Sequence, residues 1–483
     1  DRPRWVLHFQ ALVWRRLMGI GMLLHFMAPP RPPKPAFVRR IPSTLSGKTG
    51  TIDLHFYVPR DYETQKALWQ SRSEAEDGQP GEEGRDTSGP NPARKRSLRE
   101  QLGQSWKRRS MSARRWGQYP VVINFHGGGF TLGSGTDDAR FCGTVVDECH
   151  AVVVSVDFRL APENPFPTAV EDGVDAVLWI HAHALELGID REKMALSGFS
   201  SGGNMTFTVS LRLYDEMMGF PRDGCLSRPP TPGEKAERAM QGTSSARVKN
   251  TGDAAVCNTD TRPARSSSSK DVLSSPPVDP KPAPSATITE LNDCSSAPIQ
   301  LAALMPWYPS VDYTRTREQR RATNVRKDQE LPSLFTTLFD SSYLHPPGQI
   351  SLDSPYLSCG VAPTSLLRAA LPSEIIMHTC EWDMLLDEAE IFRDRLTSSE
   401  IGKHVFYYMV PGVPHGWDKA PNPIKPTPGV REHYLRACKE LRRVFSGVDA
   451  AKNVNGGPRP TVERLTTAGW PTAADSEAVN LVR

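Results

Sequence analysis

The stretch Met194-Ala195-Leu196-Ser197-Gly198-Phe199-Ser200-Ser201-Gly202 places a short apolar run directly before a Gly-x-Ser-x-Gly motif. The apolar run predicts a strand, and the residues after the motif have the spacing of a helix. At a sharp strand-to-helix turn the serine backbone is strained, and a side chain two residues before or after it would collide with the turn. Gly198 and Gly202 meet this requirement for Ser200, whereas Ser201 lacks such framing. We therefore identify Ser200 as a candidate nucleophile.

Other short apolar runs predict the strands around this motif. Residues 121–125 and 151–156 are apolar without alternation, as expected of strands that are covered on both faces. Residues 169–187 have helical spacing, which completes a strand-helix-strand unit. The order indicates an α/β fold, with helices on both faces of a mostly parallel central sheet. Further runs predict an opening strand at 51–58 and later strands at 299–304, 374–378 and 404–410.

Two long segments of biased composition interrupt the pattern. Residues 63–117 change from acidic to basic with little apolar periodicity, and residues 221–298 are dense in Ser, Pro and Thr. Such segments cannot bury enough apolar surface to order themselves, so we expect two disordered insertions. The first is either a solvated loop or a docking segment. We expect an N-terminal segment at 1–48, one α/β domain at 49–446 and a flexible tail at 447–483.

The formal net charge of +3 is small for 483 residues, and the basic residues are spread along the chain. This distribution argues against a nucleic-acid partner. The eight cysteines form no CxxC pair and no spacing typical of metal ligands, so we predict free thiols and no metal site. Free thiols fit a reducing compartment, and we expect a cytoplasmic location.

The segment Trp5–Met27 is mostly apolar, but Arg15 and Arg16 interrupt it. Each apolar half is far shorter than the roughly 20 residues that a spanning helix needs. Three interpretations remain: helices that pack as a lid over the active site, an interfacial or spanning membrane anchor, or the remnant of a signal peptide. Membrane association through this segment therefore stays open.

The sequence His126-Gly127-Gly128-Gly129 follows the predicted strand that ends at Phe125. Backbone without side chains can approach a substrate closely and direct N–H groups at a developing negative charge. We interpret this loop as half of an oxyanion hole, the site that stabilises the charged intermediate of acyl transfer.

A serine hydroxyl is a weak nucleophile unless a nearby base takes its proton. His415 follows the last predicted strand and is the candidate base. Asp383 lies just past the preceding strand and is the candidate carboxylate that orients the imidazole. The chain order serine, aspartate, histidine is typical of hydrolases built on this kind of sheet.

Four blocks of sequence resemble the hormone-sensitive-lipase-like α/β hydrolases, also called the fold-3 group. The resemblance covers roughly residues 50–60, 118–220 and 298–445. The blocks are His126-Gly127-Gly128-Gly129-Phe130; Asp157-Phe158-Arg159-Leu160-Ala161-Pro162-Glu163 with Pro165-Phe166-Pro167 and Glu171-Asp172; Gly198 to Asn204; and Asp383-Met384-Leu385-Leu386-Asp387-Glu388 with His415-Gly416.

The resemblance implies an α/β-hydrolase fold with a helical cap, made by the N-terminal helices and residues 312–352. It implies that the second block braces the oxyanion loop and that the backbone N–H groups of Gly127, Gly128 and Ser201 are the oxyanion donors. The chain departs from the family at Phe199, where an acidic residue is usual, and at Ser201, where alanine is usual. Trp417 also replaces a usual phenylalanine. We expect these departures to affect the substrate preference.

The motifs and the resemblance together predict a serine carboxylester hydrolase that acts on short to medium acyl esters. Such chemistry needs a small-molecule ester and no metal or organic cofactor. One alternative is a non-catalytic binding protein or receptor on the same fold, although such proteins typically lack the histidine. Another is a membrane-associated scaffold that uses the N-terminal segment and the charged insertions. The oligomeric state is not predicted.

Overall fold

In the described part of the chain, eight strands form a single sheet. The computed structural model describes residues 3–68, 118–219, 299–425 and 427–447. The strand order is β1-β2-β4-β3-β5-β6-β7-β8, and only the β1–β2 and β2–β4 pairs are antiparallel. The strands are β1 Phe37–Pro42, β2 Thr51–Tyr57, β3 Tyr119–Phe125, β4 Val152–Asp157, β5 Ile189–Phe199, β6 Ala303–Trp307, β7 Glu374–Trp382 and β8 His404–Pro414. The predicted α/β class with a mostly parallel sheet is confirmed.

Helices cover both faces of the sheet, as the apolar runs predict. Helices α2 and α10 pack in the apolar core on one face, and α3, α5, α8 and α9 pack in the core on the other. Alternate residues of a strand enter opposite cores, so Val121 and Val122 are both buried. The helices are α1 Arg4–Met27, α2 Ala139–Cys149, α3 Thr168–Ala182, α4 Ala184–Leu187, α5 Ser201–Met217, α6 Arg317–Thr323, α7 Ser333–Tyr343, α8 Thr364–Ala370, α9 Leu386–Thr397 and α10 Val430–Phe445.

Most of the two predicted insertions, at 69–117 and 220–298, and the predicted tail beyond 447 lie outside the described residues. Residues 63–68, which the composition assigns to the first insertion, are helical. Contacts with a distant turn explain this difference. The Tyr62 hydroxyl donates a 2.9 Å hydrogen bond to the Leu187 carbonyl oxygen, and the stem of Lys66 packs over Gly188.

The apolar segment Trp5–Met27 lies in one helix, α1, rather than in two apolar halves broken at the arginines. Arg15 fits within it because its guanidinium turns toward the body of the protein and donates hydrogen bonds of 2.8 Å to the carbonyl oxygens of Thr131 and Ala161. It also pairs with Glu163 at 2.8 Å. Among the described helices, none combines the length and apolar character that crossing a membrane requires.

Two of the differences from the sequence prediction concern strands β1 and β6. Strand β1 lies inside the segment 1–48 that we expected to be separate, and it pairs with β2 from Phe37 opposite Phe56 to Pro42 opposite Thr51. The sheet therefore begins before residue 49. Strand β6 occupies 303–307 rather than 299–304. Pro306 has no N–H for the sheet hydrogen bonds, so the local sequence predicts a strand there only weakly. Pairing with β5 and β7 decides the position instead.

A buried ion pair holds the loop that follows β4. Arg159 binds the Asp172 carboxylate through Nε at 2.9 Å and Nη2 at 2.7 Å, and the Arg159 backbone N–H donates to the same group at 3.0 Å. Arg159 Nη2 also donates to the hydroxyls of Ser43 and Ser46 at 2.6 and 2.7 Å. Burial raises the pKa of Asp172, although the guanidinium opposes this effect. The bracing role that the resemblance implies for this block thus has a physical basis.

We expect the substitution Arg159→Met to lower the free energy of unfolding by about 3–5 kcal/mol, because it leaves the Asp172 carboxylate buried without its partner. Urea denaturation at neutral pH measures this loss. Arg40→Met is the matched control, since Arg40 pairs with Asp53 at 2.7 Å but is 68% exposed. The control variant should lose much less stability, because solvent screens an exposed ion pair. Equal losses in the two variants would contradict the bracing role.

Candidate active site

Three side chains that follow different parallel strands meet at the carboxyl edge of the sheet. Ser200 follows β5, Asp383 follows β7 and His415 follows β8. His415 Nε2 lies 2.8 Å from Ser200 Oγ, and His415 Nδ1 lies 2.7 Å from Asp383 Oδ2. The structure therefore brings together all three residues that the sequence selects as nucleophile, base and orienting carboxylate.

Ser200 has the strained backbone that the glycine spacing predicts, with φ of 56° and ψ of −113°. A Cβ atom at Gly198 would lie 2.3 Å from the Gly202 carbonyl oxygen. A Cβ atom at Gly202 would lie 2.0 Å from the Phe125 carbonyl oxygen. Both flanking positions therefore exclude a side chain, and the hydroxyl projects from the tip of the turn.

The loop after β3 passes beside this serine. A Cβ atom at Gly127 would lie 3.1 Å from the Phe199 carbonyl oxygen and 3.6 Å from Ser200 Cβ, so the loop backbone is close to the nucleophile. Gly128 has a φ of +116°, which side chains rarely allow. Within the described residues, the backbone N–H groups of Gly127, Gly128 and Ser201 donate to no other protein group. They are free to donate to a substrate oxygen.

His126 supports this loop from beneath the surface. Its ring is fully buried and stacks on Phe158, with 4.3 Å between centroids and 7° between planes. Nδ1 lies 2.8 Å from the Gly127 carbonyl oxygen, which can only accept, so Nδ1 carries the proton. The Ala161 N–H also donates to the Phe130 carbonyl oxygen at 2.8 Å, which ties the loop to the block after β4.

The orientation of His415 depends on buried neighbours. The Asp383 side chain is 1% exposed, and its Oδ1 accepts a 3.0 Å hydrogen bond from the Leu385 N–H. That bond leaves Oδ2 directed at the imidazole. The Tyr308 ring packs edge-on against the His415 ring, with 4.8 Å between centroids.

A charged network behind the histidine was missed by the sequence analysis. Asp418 accepts hydrogen bonds of 2.6 Å from the hydroxyls of both Tyr308 and Tyr434. Lys419 Nζ lies 2.7 Å from Asp418 Oδ2 and 2.9 Å from Asp138 Oδ1. Burial favours the neutral amine of Lys419, but the two carboxylates outweigh it and raise its pKa. Lys419 is therefore a half-buried cation at neutral pH, between two buried carboxylates.

Lys419 also explains the unusual residue before the nucleophile. Its Nζ lies 3.7 Å from the centroid of the Phe199 ring, a cation–π contact that suits a phenyl group. The signals in the sequence were the departure at Phe199 and the Asp418-Lys419 pair so near His415. The pairing with Asp138 could not be predicted, because 281 positions separate these two residues in the chain.

Helices α1 and α7 lie against the oxyanion loop. The Trp14 and Phe335 rings meet edge-on with 4.6 Å between centroids, which joins the two helices. On α7, the Phe339 ring covers Gly129, and Tyr343 stacks on Phe130 at 3.8 Å. The helical cap that the resemblance implies is therefore formed by these two helices.

In the part of the chain that the structure describes, no cluster of His, Cys, Asp and Glu side chains could hold a metal ion. The described cysteines are buried free thiols: Cys142, Cys149, Cys359, Cys380 and Cys438.

A strained serine turn between a strand and a helix, with the triad in the chain order serine, aspartate, histidine, is typical of α/β hydrolases. A family model described as alpha/beta hydrolase fold matches residues 122–279 and 283–419, which is more than half of the chain. The chain belongs to this family, in the hormone-sensitive-lipase-like fold-3 group.

Curated relatives match short stretches of this chain. Versiconal hemiacetal acetate esterase of Aspergillus parasiticus is 36% identical over 130 residues, which cover 27% of this chain and 40% of the relative. An arylesterase of Saccharolobus solfataricus is 43% identical over 98 residues, which cover 20% of this chain and 32% of the relative. The chain thus spans less than half the length of these relatives.

Solved structures share the fold over most of their length. An esterase of Pyrobaculum calidifontis superimposes with a TM-score of 0.53 at 20% identity and covers 90% of this chain and 93% of its own. The metagenomic carboxylesterase EstE1 superimposes with a TM-score of 0.52 at 20% identity and covers 90% of this chain and 97% of its own. At such identities the likeness shows a common fold.

We expect Gly202→Ala to destabilise the protein by about 3 kcal/mol or more, because the added methyl group has no space beside the Phe125 carbonyl oxygen. Thermal and urea unfolding measure the change. Gly19→Ala is the control, since a Cβ there meets nothing within 4 Å and Gly19 lies inside α1. Alanine at that position should raise stability by about 0.5–1 kcal/mol. A Gly202→Ala variant as stable as the parent would refute the tight turn.

We expect Lys419→Met to lower the free energy of unfolding by about 3 kcal/mol or more, since it leaves two buried carboxylates without their cation. Lys425→Met, at an exposed lysine close by in the chain, should change stability by less than about 0.5 kcal/mol. Urea denaturation of both variants measures the difference. If Lys419→Met is neutral, the network does not support the histidine loop.

Proposed function

We propose that the protein is a serine carboxylester hydrolase with Ser200 as nucleophile, His415 as base and Asp383 as the residue that orients the base. The observation that carries this proposal is the chain of hydrogen-bonding contacts from Ser200 Oγ to His415 Nε2, at 2.8 Å, and from His415 Nδ1 to Asp383, at 2.7 Å. Such an arrangement lets the imidazole take the serine proton and return it during acyl transfer.

The first half of the reaction forms an acyl-enzyme. Ser200 Oγ attacks the ester carbonyl carbon while His415 Nε2 takes the hydroxyl proton. The negative charge then develops on the carbonyl oxygen, where the N–H groups of Gly127, Gly128 and Ser201 can donate to it. As the tetrahedral intermediate collapses, the bond to the alcohol oxygen breaks and His415 gives its proton to the leaving alcohol.

The second half releases the acid. Water attacks the acyl carbon, His415 takes one proton from it, and the same three N–H groups receive the charge again. Collapse of this intermediate breaks the bond to Ser200 Oγ, which regains its proton from the imidazolium. Asp383 favours the tautomer with the proton on Nδ1 and stabilises the imidazolium in both halves.

Short to medium acyl esters of small molecules are the proposed substrates. The name of one relative states that it acts on an acetate ester, which supports a short acyl group. The Phe339 ring on α7 covers Gly129 of the oxyanion loop and limits the space there, and the Phe335 ring stacks on Phe339 with 6.2 Å between centroids. A binding protein or receptor on the same fold is the second candidate, but an imidazole held between Ser200 and Asp383 would then serve no purpose.

Hydrolysis of p-nitrophenyl esters from acetate to long acyl chains tests the proposal. The parent protein should favour short to medium chains, and Ser200→Ala should lower kcat by at least about 10⁴-fold because the variant lacks the hydroxyl that attacks the ester. Ser201→Ala is the matched control, since it keeps the backbone N–H and should stay within about tenfold of the parent.

Labelling with a fluorophosphonate separates the two candidate functions. An esterase should react stoichiometrically through Ser200, and Ser200→Ala should abolish the labelling while Ser201→Ala retains it. A parent protein that hydrolyses no ester and resists the fluorophosphonate would overturn the enzyme proposal in favour of a receptor.

A further inference from the structure

Helix α1 has an apolar row on the side that faces away from the body of the protein. Trp5, Phe9, Ile20 and Leu23 are 72, 61, 58 and 60% exposed. Successive members are separated by 4, 11 and 3 positions, which are close to whole numbers of helical turns, so the four side chains lie on one face of the helix. We call this row the outer stripe, and it consists of Trp5, Phe9, Leu12, Val13, Leu17, Ile20, Leu23 and Met27.

The opposite face of α1 is fixed to the protein, so the outer stripe cannot turn inward. Leu7, Ala11 and Met22 are buried on that face. Arg15 donates to carbonyl oxygens of the oxyanion loop and of the block after β4. At the other end, Arg140 Nη2 donates to the carbonyl oxygens of His25 and Ala28 at 2.8 and 2.6 Å. Apolar groups of this size in one contiguous row mark a contact surface.

The segment that carries the outer stripe is strongly basic. From residue 2 to residue 52 it contains no acidic residue, although the whole chain has a net charge of only +3. Arg16, Arg31 and Lys34 are exposed, and Arg16 lies within the stripe, four positions from both Leu12 and Ile20. The basic residues of this segment are Arg2, Arg4, Arg15, Arg16, Arg31, Lys34, Arg39, Arg40 and Lys48.

We propose that the outer stripe docks α1 into the interface of an anionic lipid bilayer, with the helix lying in the plane of the membrane. A helix of 24 residues is about 36 Å long. Its apolar side chains form a straight row on a convex surface, and such a row can enter a lipid surface, which needs no complementary groove. Exposed arginine and lysine side chains extend to anionic headgroups while the apolar side chains enter the acyl region.

Charge decides between a bilayer and a second copy of the chain. A symmetric dimer would bring the same basic segment against itself, because a two-fold interface uses one surface patch twice. Arg16 would then approach its own counterpart inside the apolar contact. An anionic membrane instead complements the positive charge and covers the apolar row.

The proposed orientation brings the membrane close to the candidate active site. Trp14 on α1 contacts Phe335 on α7, and Phe339 on the same helix covers Gly129 of the oxyanion loop. Esters dissolved in the bilayer would therefore reach the cap first. Docking does not depend on hydrolysis, so binding can be measured separately from the activity proposed above.

Co-sedimentation of the full chain with vesicles tests the docking. Vesicles of phosphatidylcholine and phosphatidylserine should bind the protein, vesicles of phosphatidylcholine alone should bind it more weakly, and added salt should release it. Ile20→Glu combined with Leu23→Glu should reduce binding at least about tenfold, because two charges enter the acyl boundary. The matched control Ile391→Glu, at a position 56% exposed on α9, should leave binding unchanged.

Three results would overturn the proposal. The parent protein could fail to sediment with anionic vesicles, or the Ile20→Glu, Leu23→Glu variant could bind as well as the parent. Light scattering could also show a dimer that this variant converts to a monomer, which would assign the outer stripe to a second copy. Because the substituted positions are exposed, circular dichroism and thermal unfolding should match between this variant and Ile391→Glu.

Discussion

At Gly202 the first turn of α5 packs backbone against backbone on the end of β3. The space left there is so small that a Cβ atom would lie 2.0 Å from the Phe125 carbonyl oxygen. This contact requires β3 and β5 to be neighbours in the sheet, and it forces Ser200 to a φ of 56° at the tip of the turn. It also brings the glycine loop after Phe125 beside the serine. The candidate nucleophile and the candidate oxyanion donors are thus positioned by one contact.

The histidine side of the site is supported by charge instead of by close packing. Lys419 lies between Asp138 and Asp418. Asp418 accepts a hydrogen bond from the hydroxyl of Tyr308, and the Tyr308 ring packs against His415. Buried ion pairs contribute little net stability relative to apolar packing, but a missing partner costs several kcal/mol. Such a network therefore favours one arrangement of the loop after β8. Phe199 fits this arrangement, since an aromatic face can lie against the ammonium where the family usually has a carboxylate.

The cap combines two surfaces with different physical chemistry. Toward the protein, α1 uses arginine side chains and backbone carbonyl oxygens, which set its position relative to the oxyanion loop. Away from the protein it presents large apolar side chains within a segment that carries only positive charge after Asp1 and before Asp53. This division relates the cap to the membrane proposal, because the face that would contact lipid belongs to the helix that borders the candidate site.

Short-range geometry explains why the sequence was sufficient to predict the strained serine turn, the glycine loop and most of the parallel strands. A few neighbouring residues determine each of these features: the glycines at 198 and 202, the apolar runs, and the positions of Asp383 and His415 just after strands. Three other features needed the tertiary structure, because partners elsewhere in the chain decide them. Strand β1 pairs with β2 at Phe56, the single helix α1 is tied to Thr131 through Arg15, and β6 starts where it pairs with Ala195 of β5. The Lys419 network likewise joins residues 281 positions apart, and side chains so distant in sequence find each other only once the sheet has formed.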